Sequence, residues 1–255
     1  MAFVITLANT KGGCGKSVTA LALSRALTES DATGGGNALR VLLVDADPQR
    51  TISDAMEIPP SRPSLVNVID GSLSIRDAIF RDGLFGAHVL PGHRSLLRLF
   101  DMPEDSIPSA LEPIQGDYDL IMIDTPGTLD MSVQSAMKTV QLGEGMVLIP
   151  CQPSYADIKA TIFSIQEYEA LGVTDYRILL TMIDKRKKGD NVAARDELNN
   201  LSNGKVLKNE FPRTVLAERL AGGEDIDQSQ HGVQFVNNIR AIAEELMEAA
   251  TDGTK

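Results

Sequence analysis

The densest chemistry in this 255-residue sequence lies in Thr10-Lys11-Gly12-Gly13-Cys14-Gly15-Lys16-Ser17, which follows the apolar run Phe3-Val4-Ile5-Thr6-Leu7-Ala8. A buried strand that runs into a glycine-rich turn and then a helix forms a cradle for phosphate. The glycines let backbone N–H groups crowd around the anion, and the helix adds the positive end of its dipole. Lys16 is suited to reach the β- and γ-phosphates of a nucleotide, and Ser17 to offer its hydroxyl to Mg²⁺. Gly12, Gly13, Cys14, Gly15 and Val18 complete the predicted nucleotide-binding loop. The common form of this loop has glycine five residues before the Gly-Lys-Ser, where this chain has Thr10. In exchange it carries a second lysine, Lys11, and a glycine pair.

Two further acidic positions end apolar runs. Asp124 closes Leu120-Ile121-Met122-Ile123 and precedes Thr125-Pro126-Gly127, the place for a carboxylate that orders Mg²⁺ directly or through its water shell. Asp45 and Asp47 stand in Val44-Asp45-Ala46-Asp47-Pro48-Gln49. Phosphoryl transfer to water needs a metal, cations for the phosphoryl oxygens and a group that holds the attacking water in line.

The elements that must position these groups alternate along the chain. Val18–Leu27 has helical spacing, and 28–38, with Gly34-Gly35-Gly36, reads as a surface loop. The runs 40–45, 119–124, 145–150 and 176–182 are continuous enough for parallel strands buried on both faces, with a shorter strand expected at 88–91 and another at 205–211. Helices are expected near 74–80, 95–100, 131–141, 155–171, 190–201 and 232–250, and the proline-rich segment 58–63 breaks the chain. This alternation predicts an α/β fold: a single doubly wound, mostly parallel sheet with helices on both faces. Nothing divides the chain, so 1–255 reads as one domain. In such a sheet ligands bind beyond the carboxyl ends of the strands, where the loops after Ala8, Val44 and Ile123 converge.

Lys-Gly-Gly-x-Gly-Lys-Ser is the deviant Walker A motif, and through it the chain resembles the ParA/MinD family of P-loop ATPases. The resemblance is densest over 3–49, 119–155 and 179–213, and thin between Thr51 and Pro113. It implies ATP and Mg²⁺ as cofactors, with Ser17, Asp45 and Asp124 serving the metal. It further implies a homodimer formed with ATP, in which Lys11 crosses the interface to the phosphates held by the other subunit. Lys11, Lys16 and Asp47 are the implied catalytic groups, with Asp47 orienting or deprotonating the water and Asp45 supporting the magnesium shell. The family usually continues Gly-Asn after the Asp-Pro-Gln, where this chain has Arg50-Thr51. Leu148–Tyr155 matches a family segment read as structural support. Leu180–Arg186 and Glu210–Arg213 match stretches near the base pocket and the dimer rim, which brings Met182 and Pro212 to the nucleotide.

The formal net charge is −11. A surface that is basic overall is excluded, so any nucleic-acid contact must come from a local patch. Lys185-Arg186-Lys187-Lys188 is the one basic run. By the resemblance, this run and Arg213 would hold DNA without sequence preference once ATP closes the dimer. A ParB-like or cargo-adaptor protein would then stimulate hydrolysis, and the location would be cytoplasmic and nucleoid-associated. A MinD-like, membrane-acting ATPase is the alternative. It wants a basic amphipathic C-terminal helix, whereas the last helix carries Glu244, Glu245 and Glu248. No run approaches the ~20 apolar residues that span a bilayer, and no secretory leader is expected. The two cysteines, Cys14 and Cys151, have no metal-ligand spacing and read as reduced structural thiols. An iron–sulfur donor lacks its cysteines here, and a synthetase would need a second substrate pocket for which no signature is found.

Overall fold

In the computed structural model, which describes residues 1–28, 38–83, 86–98, 101–224, 226 and 229–252, six strands form one sheet. They are β1 (Phe3–Leu7), β2 (Val41–Asp45), β3 (His88–Leu90), β4 (Leu120–Asp124), β5 (Gly145–Cys151) and β6 (Tyr176–Leu180). Their spatial order is β3-β2-β4-β1-β5-β6, and every pairing is parallel. The helices are α1 (Lys16–Thr28), α2 (Thr51–Ala55), α3 (Leu65–Ile69), α4 (Ile75–Ala78), α5 (Ser106–Leu111), α6 (Met131–Leu142), α7 (Tyr155–Ala170), α8 (Lys188–Ser202), α9 (Val215–Ala221) and α10 (Gln230–Asp252).

Parallel strands need crossover helices, and the helices cover both faces. Side chains along each strand therefore alternate between two buried layers. Leu42, Val44, Ile121, Ile123, Val147 and Ile149 face one layer with α6 and α7. Val41, Leu43, Leu120, Met122, Met146 and Leu148 face the other with α1 and α10. This accounts for strands that read as unbroken apolar runs: all five residues of β2 and of β4 are buried.

Three local expectations change. The segment 205–211 makes only a single parallel bridge, Ile178 to Val206, in place of a strand. The cause is α10: the Glu245 carboxylate accepts the consecutive backbone N–H groups of Lys208 and Asn209, which a strand would point to opposite sides, the Asn209 one to β6. The helix expected over 74–80 ends at Ala78, because Phe80 exchanges backbone hydrogen bonds with Val89. Arg94–Arg98 is a 3₁₀ helix. The expected glycine loop at 34–36 lies outside the described residues.

Candidate nucleotide site

The register fixes where the site must be. Leu7 of β1 pairs with Asp124 of β4, and Asp124 pairs with Asp45 of β2, so three strands end at one level. Their exits are tied together. Thr125 donates its hydroxyl to the Leu7 carbonyl (2.8 Å), and the Ala46 N–H bonds to the Asp124 carbonyl (2.9 Å).

The phosphate loop follows β1 and is held from outside. Asn9 is buried, its amide donating to the Pro150 carbonyl and to Thr161 of α7, while its Oδ1 accepts the Lys11 N–H (3.0 Å). Ser164, one turn along α7, accepts the Thr10 N–H at 3.0 Å. Gln152 donates to the Gly13 carbonyl and Thr181 to the Cys14 carbonyl. The loop thus takes its shape from β5, α7 and the exit of β6. Gly13 and Gly15 have φ of 77° and 93°, a region in which side-chain-bearing residues are strained.

The two lysines are placed differently. Lys16, the first residue of α1, is 7% exposed, and its ammonium donates to the Asn9 and Lys11 carbonyls within the loop. Lys11 is exposed. Cys14 is buried, and burial pushes its thiol up and away from thiolate chemistry. Cys151 is likewise buried, its thiol pushed up to about 12.

Asp124 is fully buried, and neither carboxylate oxygen has a hydrogen-bond partner. Burial raises its pKa well above the carboxylate range, and Asp45 on the neighbouring strand adds to the rise. Ser17, close by without a formed hydrogen bond, and Lys16 pull the other way. Asp45, also fully buried, is pushed up to about 6, chiefly by burial, even though Ser53 donates both its hydroxyl (2.6 Å) and its N–H (2.9 Å) to Oδ2. Two dry carboxylates side by side, one with nothing bound to it, form a site that a divalent cation would relieve. Asp47 stands at the half-buried mouth, its Oδ1 accepting the Gln49 N–H at 2.8 Å.

The exit of β6 supplies the flank. Met182 sits at φ 56°, with its thioether end 3.9 Å from where a Cβ would stand on Gly15. Pro212 bridges to Ile183 and lines a cleft of about 360 Å³ with Ile183, Lys185 and Thr214. The basic run is exposed beside it, and the Arg213 N–H bonds to the Ile183 carbonyl (3.0 Å), bringing Arg213 to the same rim. Arg186 is committed locally, its guanidinium bonded to both oxygens of Asp184 and holding that carboxyl far below its usual range. Lys187 precedes α8 and Lys188 opens it, so the basic run is partly helical.

Sequence reasoning missed the residues that hold the loop. Thr161 and Ser164 are polar positions three apart on the helix expected near 155–171, and that spacing was their only signal. Asn9 and Ser53 have no signature of their own. Arg50, with φ 61° and 3% exposure, sits where the resemblance expects glycine, and that backbone costs a non-glycine residue roughly 1 kcal/mol or more.

Comparison with known proteins points one way. Residues 2–170 match the AAA_31 family, described as an AAA domain. The maintenance of carboxysome distribution protein A of Gloeobacter kilaueensis is 28% identical over 249 residues, covering 95% of this chain and 93% of that protein. The chromosome partitioning protein ParA of Caulobacter vibrioides is 30% identical over 228 residues, covering 83% and 81%. Among solved structures, the septum site-determining protein MinD of Pyrococcus horikoshii complexed with Mg-ADP superposes with a TM-score of 0.78 at 22% identity, covering 98% of each chain.

Proposed function

The chain belongs to the ParA/MinD family of P-loop ATPases, and from that premise we propose that it is a DNA-bound positioning ATPase whose hydrolysis is completed across a dimer. Its reaction is that of the family, ATP and water to ADP and phosphate, with Mg²⁺. Bound Mg²⁺ supplies positive charge to the β- and γ-phosphate oxygens. Ser17 and the unpartnered Asp124 would hold it. Asp45, with one oxygen already taken by Ser53, would order its water shell.

The loop N–H groups and Lys16 bind the phosphates, and Asp47 holds the attacking water and takes its proton. Met182 and Pro212 flank the base. The single observation that carries the dimer reading is the contrast between the lysines: Lys16 is buried and turned onto its own loop, where it meets its own nucleotide, while Lys11 stands exposed ahead of it. A cation so placed is available to a second nucleotide. Slow turnover follows if water and charges are aligned only in the closed dimer, which a partner protein on the cargo would favour.

Lys185, Arg186, Lys187, Lys188 and Arg213 form the DNA face, and their clustering makes binding fall steeply with salt. No described helix is long and apolar enough to cross a membrane. The test is retention of the Mg²⁺-ATP form on nonspecific duplex DNA against flotation with anionic liposomes. Retention with ATP and release with ADP is the expected result. Flotation without DNA retention would favour the MinD-like alternative.

A further inference from the structure

Arg50 stands where the resemblance expects glycine, and its side chain turns inward. Its guanidinium donates to the Gly92 carbonyl, to the Ile58 carbonyl (2.8 Å) and to Asp54 (3.2 Å). Gly92 in turn lies hard against the end of β2. A Cβ added there would come within 2.7 Å of the Asp45 carbonyl oxygen and 3.0 Å of its Oδ1. The Gly92 N–H donates to the Ser53 hydroxyl (3.0 Å), which itself donates to Asp45 Oδ2. The Arg50 N–H bonds to the Asp47 carbonyl (3.0 Å). With the Asp47 N–H donating to Asp45 Oδ1 (3.3 Å), a closed ring results, running Arg50, Gly92, Ser53, Asp45, Asp47 and back to Arg50.

We infer that Arg50 is a positioning residue that sets the Asp45–Asp47 loop by clamping it to the segment after β3. This rests on the hydrolytic role of Asp47 proposed above. A buried guanidinium is tolerated only where its N–H groups are satisfied, and here two of its three partners are backbone carbonyls of the 58–92 region. The clamp is therefore how that stretch, where the resemblance is thin, reaches the chemistry. With glycine in its place the backbone would keep its left-handed turn and Gly92 its bond to Ser53, but the side-chain link that closes the ring would be lost and the water-holding carboxylate held less firmly.

The test compares wild type, Arg50→Gly and Arg50→Lys, with Asp47→Ala as reference, measuring the ATP-analogue dissociation constant, single-turnover hydrolysis and the thermal midpoint. Arg50→Gly suits the observed φ, and its affinity is expected within about twofold of wild type while hydrolysis falls on the order of tenfold to a hundredfold. Arg50→Lys keeps a charge that cannot span both carbonyls and is expected to lose nearly as much. If either folded variant hydrolyses at the wild-type rate, or loses only affinity or only thermal stability, the inference is overturned. Turnover by wild type that survives in Asp47→Ala would instead remove the reading on which it rests.

Discussion

Gly127, just beyond β4, lies backbone to backbone against Gly12 of the phosphate loop: a Cβ added at Gly127 would stand 3.0 Å from both the Cα and the amide nitrogen of Gly12. Two loops from strands more than a hundred residues apart in sequence thus share one surface, where a methyl group fits only if one loop gives by a few tenths of an ångström.

Gly127→Ala consequently pushes the loop out of register with the phosphates. We expect nucleotide affinity to drop on the order of tenfold, read by titration with a fluorescent ATP analogue, with the far-ultraviolet circular dichroism unchanged. Affinity equal to wild type would mean that the loop yields freely.

Asp47→Ala removes the carboxylate at the mouth and leaves the buried pair Asp45 and Asp124 in place. Mg²⁺-ATP binding should persist, while phosphate release falls by about 10²-fold or more, the usual contribution of a positioned base. Retained turnover would take Asp47 out of its role.

Lys11→Ala deletes the exposed cation, and Lys16 remains inside the loop. ATP-dependent dimerisation, followed by light scattering after size exclusion, should be lost, whereas binding of one nucleotide per monomer should not. A dimer that still forms with ATP would show that Lys11 does not serve the neighbouring site.

Arg186→Glu combined with Arg213→Glu reverses charge on the rim and also breaks the Arg186–Asp184 pair. Arg186 is 90% exposed in that pair, so its loss should barely move the thermal midpoint. Retention on duplex DNA with ATP should vanish, with nucleotide binding preserved. Unchanged retention would move the DNA contact elsewhere.

Much of this arrangement was legible in the residues. Buried parallel strands announce themselves as Val-Leu-Leu-Val and Leu-Ile-Met-Ile because nothing polar can face either helical layer. The Lys-Gly-Gly-x-Gly-Lys-Ser loop is equally open to reading, because only glycine suits its turns. The remainder was hidden for physical reasons. Whether 205–211 pairs as a strand depends on Glu245, which takes two of its N–H groups from another element altogether. The loop supports Asn9, Thr161 and Ser164 are ordinary polar residues until the fold brings α7 beside the loop that follows β1. Arg50 read only as a departure from the family's glycine, and its left-handed backbone and inward guanidinium reveal a clamp.

The placement of β1 bears on how the protein is made. It leaves the ribosome well before both of its sheet neighbours, β4 and β5, which come more than a hundred residues later. Until they arrive, its apolar edge has no native partner, and the nascent chain must carry that edge unprotected. Competence to take up nucleotide therefore waits for β4 and β5, when the centre of the sheet closes around β1.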